Sequence, residues 1–132
     1  MPKNDWLRRD IHTLTICYRL CLSDEAFQAE LRRLKVEEPI AFVRNDHSAA
    51  STHQITTPGG SRVAIVCMRP RAKGVNVEQV YALLVHEAVH IWRWHCELIG
   101  EDKPSSEFEA YGIQSISQEL MLSYRKMTGK GK

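Results

Sequence analysis

Residues 86–90 read His86-Glu87-Ala88-Val89-His90. On a helix, positions i and i+4 lie on one face, a turn apart. Both imidazoles can then reach one tetrahedral Zn2+ at about 2.0–2.1 Å. The Glu directly after the first His sits beside the metal-bound water, as general base rather than ligand. A chain of this His and Glu content contains such a motif by chance about 2 times in 100, so its surroundings must decide. The motif interrupts an apolar stretch, Val80-Tyr81-Ala82-Leu83-Leu84-Val85 before it and Ile91-Trp92 after it. Three ionisable groups in so apolar a helix are costly without a compensating partner, and a metal would be one. The bland reading is two His on a buried helix, each hydrogen-bonded to something.

A catalytic zinc needs a third protein ligand and an open fourth position. His95 follows His90 by five residues and is rotated off the ligand face, and Cys96 and Glu97 lie further along the same helix. The next helical stretch offers Glu107 and Glu109. Glu109 shares a stripe with Ile113, Ile116 and Leu120, so its carboxylate should point inward, whereas Glu107 lies on a more polar side with Gln114 and Gln118. Ser106 with Glu109 is also a capping-box spacing, and Ser105 as N-cap would free Glu109 from that duty. Glu109 is the expected third ligand and Glu107 the alternative. Candidates for stabilising a developing oxyanion are Tyr111 or Tyr124, and after them Tyr81 or His95.

Those side chains need a scaffold. Asp5 can cap a first helix, with Leu7, Ile11, Leu14, Tyr18 and Cys21/Leu22 at helical spacing. Ser23 can cap a second, with Phe27, Leu31 and Leu34 on one face and Glu37-Glu38-Pro39 as its stop. Ile40–Val43 reads as a short strand, 45–51 as a polar loop and Thr52–Thr56 as a second strand. Thr57-Pro58-Gly59-Gly60-Ser61 is a strong turn signal before the buried strand Arg62–Met68. Asn76 and Gln79 form a capping box, with Val75 and Val80 placed as a hydrophobic staple. That helix should run to Ile99 and stop at Gly100. A last helix is expected from about Glu107 to Arg125. Gly100–Pro104 would turn it back antiparallel, bringing Glu109 toward the His pair. The expected class is α+β: N-terminal helices over 1–38, a small antiparallel sheet, the motif helix, a following ligand helix and a flexible basic tail over 126–132, all in one domain.

Composition narrows the partners. The 132 residues carry 18 Lys+Arg against 16 Asp+Glu, a net charge of +2. So small a charge creates no basic field, which argues against nucleic acid as partner. The cluster Arg69, Arg71 and Lys73 with the basic tail keeps a helical nucleic-acid- or protein-binding module as the distant rival. No run approaches the roughly 20 apolar residues of a membrane span, and the N-terminus lacks the apolar stretch of a signal peptide. The expected location is cytoplasmic, with reduced thiols at Cys17, Cys21, Cys67 and Cys96. Cys17 and Cys21, at i and i+4, could share a metal on a helix. The plainer reading is two small buried residues.

The pattern His86-Glu87-Ala88-Val89-His90, 18 further residues, then Glu109-Ala110 on a second helix resembles the gluzincin branch of the zincin metallopeptidases. The size and element order are similar to minimal zincins, including SprT-like, phage-repressor-cleaving and other phage-encoded ones. The resemblance covers about residues 60–120. It implies a zincin-like fold and a zinc-dependent metalloendopeptidase, with His86, His90 and Glu109 on zinc and Glu87 as base. It departs at Phe108, where the family often has Asn, and at Ile113, where larger members have an Asp that orients a ligand His. The expected partner is a peptide or protein substrate. With little chain left for a second domain, the cleft is either shallow or completed by a protein partner. The rival of another class is a zinc-binding module of this fold that does not cleave.

Overall fold

In the computed structural model, residues 15–129 are described. The elements are β1 (Cys17–Cys21), α1 (Asp24–Arg33), β2 (Ala50–Thr56), β3 (Arg62–Met68), α2 (Val77–Ile99) and α3 (Ser106–Thr128). The architecture is a small α+β arrangement of three helices and a three-stranded mixed sheet ordered β1-β3-β2. None of these helices is long and apolar enough to cross a membrane.

β3 is the central strand, and its run Val63 to Met68 is buried throughout. A strand covered on both faces should be apolar at every position rather than alternating. Ala64, Val66 and Met68 join Tyr18, Leu20 and the inner faces of α2 and α3 in the larger core cluster. Val63, Ile65 and Cys67 join Cys21, Ile55, Phe27 and Leu31 in the smaller one, beneath α1. The sheet therefore separates α1 from the α2–α3 pair.

Several expectations need correction. The sheet is mixed, not antiparallel: β2 pairs antiparallel with β3, but β1 pairs parallel with it, Cys17 opposite Val63 to Cys21 opposite Cys67. The expected first helix is therefore a strand where it is described, and its earlier residues Asp5, Leu7, Ile11 and Leu14 lie outside the described residues. Ile16, Tyr18 and Leu20 are buried on one face, which is a period of two. Pairing with β3 overrides the helical spacing, aided by the poor helix propensity of Thr15 and Ile16. On a strand, Cys17 and Cys21 lie four residues of extended chain apart, far beyond the reach of one metal. All four cysteines are free.

Ile40–Val43 is irregular rather than a strand. Its carbonyls are taken by side chains instead of a ladder: Gln28 Nε2 donates to Ile40 O at 3.1 Å, and His53 Nε2 to Phe42 O at 2.8 Å. Arg69 pins the following loop by donating to Ser48 O at 2.7 Å and Asn45 O at 3.2 Å. That cation of the supposed basic patch is occupied holding structure. The hairpin turn forms as expected, with Gly60 N–H donating to Thr57 O at 2.8 Å and Gly60 at φ 93. α3 outruns its expected end at Arg125, so Lys126–Thr128 is helix rather than tail. Thr128 Oγ1 donates back to Tyr124 O at 2.8 Å and Gly129 forms the C-cap. The rest of the expected tail, 130–132, lies outside the described residues.

Candidate functional site

The helix that carries the motif is set by local signals. Asn76 Oδ1 accepts from Gln79 N–H at 2.9 Å, and Gln79 Oε1 accepts from Asn76 N–H at 3.1 Å. At the far end Gly100 adopts φ 76, a left-handed value that favours glycine, and Glu101 N–H returns to Cys96 O at 2.9 Å. Between these caps Leu84, Ala88 and Ile91 are fully buried. That face fixes the rotation of α2, and so where each motif residue points.

His86 and His90 fall on the opposite face. They are exposed, as are Arg93 and Glu97, which continue the same row at i+7 and i+11. The two imidazoles stand edge to face, with ring centroids 5.1 Å apart. Neither makes a hydrogen bond among the described residues, whereas His53 and His95 both do. The reading of two core His satisfied by neighbours therefore does not hold. The burial argument for a metal does not hold either, because solvent already compensates these two groups.

Glu87 is the buried member, 4% exposed. It points to the sheet, where Thr52 Oγ1 on β2 donates to its Oε1 at 2.6 Å. A buried carboxylate without a partner would be costly, and the hydroxyl meets part of that demand. This contact orients Glu87 toward the β2 side of α2, next to His90.

Glu109 is placed elsewhere. Ser105 is the N-cap of α3 and takes Phe108 N–H at 3.3 Å, so Glu109 is free of capping. Its Oε2 accepts from Trp92 Nε1 at 3.0 Å and pairs with Arg93 at 3.2 Å. The helical hairpin does bring Glu109 onto α2, but past the His pair. Trp92 lies against Gly112 and Tyr81 against Tyr124, which sets the antiparallel register. In that register Glu109 is level with a point roughly one and a half turns beyond His90.

Two imidazole donors stand together, open and without competing hydrogen bonds, as a metal pair requires. Among the described residues no group of three or more His, Cys, Asp or Glu is arranged to hold a metal ion. The donors His86 and His90 fit, and a third protein donor is not assembled beside them.

The remaining candidates are dispersed. Tyr111 is 62% exposed on α3. Tyr124 is buried against Tyr81, ring centroids 6.3 Å apart. Glu107 is exposed in the first turn of α3. His95 is buried, and its Nδ1 takes Thr15 N–H at 3.4 Å. Burial lowers its pKa, since the charged form loses its solvent.

The sequence gives no warning of the groups that do surround His90. A recess of about 250 Å³ is lined by Arg44, Thr52, His53, Gln54 and His90. Arg44 comes from the loop before β2, where its N–H donates to Ser51 Oγ at 2.9 Å and its guanidinium reaches Thr52 O at 3.5 Å. The only available hint was that the Glu of such a motif needs an orienting partner. Thr52 lies too far along the chain to be picked out by spacing. The chain matches no family model, no curated protein and no solved structure.

Proposed function

We propose that this chain is a metal-dependent peptidase of the HExxH type, acting on an extended peptide laid along the outer edge of β2. The observation that carries the reading is the pair His86 and His90: exposed, on one helix face, unbonded among the described residues, and flanked by Glu87, which the Thr52 hydroxyl holds against β2. His86 and His90 would hold zinc, with Glu109 as third donor if it leaves Trp92 and Arg93. Bound zinc would supply a polarised carbonyl and a water of lowered pKa. Glu87 takes the proton from the attacking water. The water oxygen bonds to the carbonyl carbon, the C–N bond breaks, and Glu87 returns the proton to the leaving amine. Thr52 keeps the Glu87 carboxylate aimed during both transfers. β3 is central and both its edges are paired, so the ledge for substrate is β2, by strand addition. A zincin-like fold and a reducing, cytoplasmic setting with free thiols belong to the same proposal.

The second reading, a zinc-binding module that does not cleave, is favoured by the engagement of Glu109 with Trp92 and Arg93. One experiment separates the two. Metal content and peptide hydrolysis are measured for the parent, Glu87→Gln, His86→Ala and Glu109→Ala. The peptidase reading expects near-stoichiometric zinc in the parent, zinc without hydrolysis in Glu87→Gln, and loss of both in His86→Ala. Zinc with no hydrolysis in the parent favours the module. Absence of bound zinc removes both. Unchanged zinc affinity in Glu109→Ala removes Glu109 from the ligand set.

A further inference from the structure

The recess beside His90 has a one-sided chemistry. Its lining of Arg44, Thr52, His53, Gln54 and His90 contains one guanidinium, two imidazoles and neutral hydrogen-bonding groups and no carboxylate. Among the described residues Arg44 pairs with no acidic side chain, and its guanidinium makes one hydrogen bond, the long 3.5 Å contact to Thr52 O. A guanidinium so placed keeps most of its five donors for a ligand, in a fork that matches a carboxylate.

The backbone around it has a direction. The Thr52 carbonyl that Arg44 reaches faces away from β3, on the unpaired side of β2. By the two-residue period of an antiparallel strand, Gln54 and Thr56 present their backbone groups the same way. The edge is open toward Thr56 and obstructed at the other end. There Arg44 N–H binds Ser51 Oγ and His53 binds Phe42 O, which holds segment 42–44 across the strand. A peptide pairing with this edge must therefore end where Arg44 stands. The volume of about 250 Å³ equals roughly eight waters, the size of one or two amino-acid residues.

The geometry points to recognition of a free C-terminal carboxylate: the substrate lies antiparallel to β2 and its terminal carboxylate is taken by Arg44, beside His90. This rests on the peptidase reading for the position of the cut, which would fall within the last residues of the chain. The binding itself needs only the edge and Arg44.

The test measures binding and hydrolysis separately. The zinc-loaded full chain carrying Glu87→Gln is titrated with a labelled hexapeptide in three forms: free acid, C-terminal amide, and amide with Asp as the last residue. The acid is expected to bind at least tenfold more tightly than either amide. Arg44→Gln should bring the acid-to-amide ratio close to one, and Arg44→Lys should keep part of it. Equal binding of acid and amide overturns the proposal. So does an Asp amide that matches the acid, since the end would then not be what is read. So does a ratio unchanged in Arg44→Gln. The chain with Glu87 intact is then tested for cleavage of the same peptides. An acid preference that depends on Arg44, without any cleavage, keeps this inference and removes the peptidase reading. Cleavage without that preference does the reverse.

Discussion

Glu87 and His95, two of the buried titratable side chains of α2, lead to different predictions. Among the described residues Glu87 has one hydrogen-bond partner, the Thr52 hydroxyl. Thr52→Val keeps the shape of the side chain but removes the donor to Glu87 Oε1. A buried group left unsatisfied costs about 1–3 kcal/mol, so the variant should lose about that much in urea denaturation. For His95 the folded pKa lies below the ordinary value of 6.5, because burial disfavours the imidazolium. The unfolded chain then binds a proton that the folded chain refuses. The stability this group permits is full above about pH 6.5 and is lost as the pH falls from there toward the folded pKa. Protonation would also remove the Nδ1 acceptor from Thr15. Urea midpoints at pH 7.5, 6.5 and 5.5 should fall across the lower interval, and fall less in His95→Gln.

Among the elements, α2 and α3 approach closely where Trp92 lies against Gly112. A Cβ built at Gly112 would lie 2.3 Å from Trp92 Cζ3. An aromatic ring in a packed helix interface cannot yield that distance without moving the backbone. Gly112→Ala should therefore cost about 1–3 kcal/mol despite its gain in helix propensity. Adding Trp92→Leu should recover part of the loss in a double-mutant cycle, since the two sites share one contact. On the other face of the sheet, Glu30 of α1 is 5% exposed and accepts from Arg19 on β1 and Arg33. Glu30→Ala removes the carboxylate shared by Arg19, whose side chain is only 20% exposed, and Arg33. Breaking such a pair should cost about 3 kcal/mol in thermal or urea melts, the low end of the buried range because Arg33 is half in solvent. α2 was legible from cap to cap and α1 at its start, because Asn76, Gln79, Gly100 and Ser23 act within a turn of themselves; the end of α1 was not, since it stops at Arg33 with Leu34 as C-cap and Lys35 at φ 64, ahead of the expected stop at Glu37-Glu38-Pro39. β1 was not, because what makes Cys17–Cys21 a strand is a partner strand far along the chain.

At the scale of the whole molecule, the two core clusters are built without His86 or His90. A metal at that pair would therefore add to a fold that already stands, unlike a zinc finger, whose folding energy is the metal's. Chelator treatment should leave the far-UV circular dichroism spectrum unchanged. Added zinc should stabilise the fold by linkage alone, by about 2.7 kcal/mol at one hundred times Kd, and so raise Tm. Unfolding on chelation would sink this picture of the site as an addition to the surface.

The amino-acid sequence by itself determined the motif, its helix from cap to cap and the β2–β3 hairpin, and it narrowed the N-cap of α3 to Ser105 or Ser106. Each of these is specified by residues within a few positions of one another. It also determined that Glu109 would turn toward α2. Only the tertiary structure decided which turn of α2 it meets, that the His pair faces solvent while Glu87 faces Thr52, and that Arg44 closes the edge beside His90. Those outcomes depend on the register of a helical hairpin, set by Trp92 against Gly112, and on the rotation of α2, set by its buried face. Both are sums of many contacts between distant residues, and no local spacing encodes them.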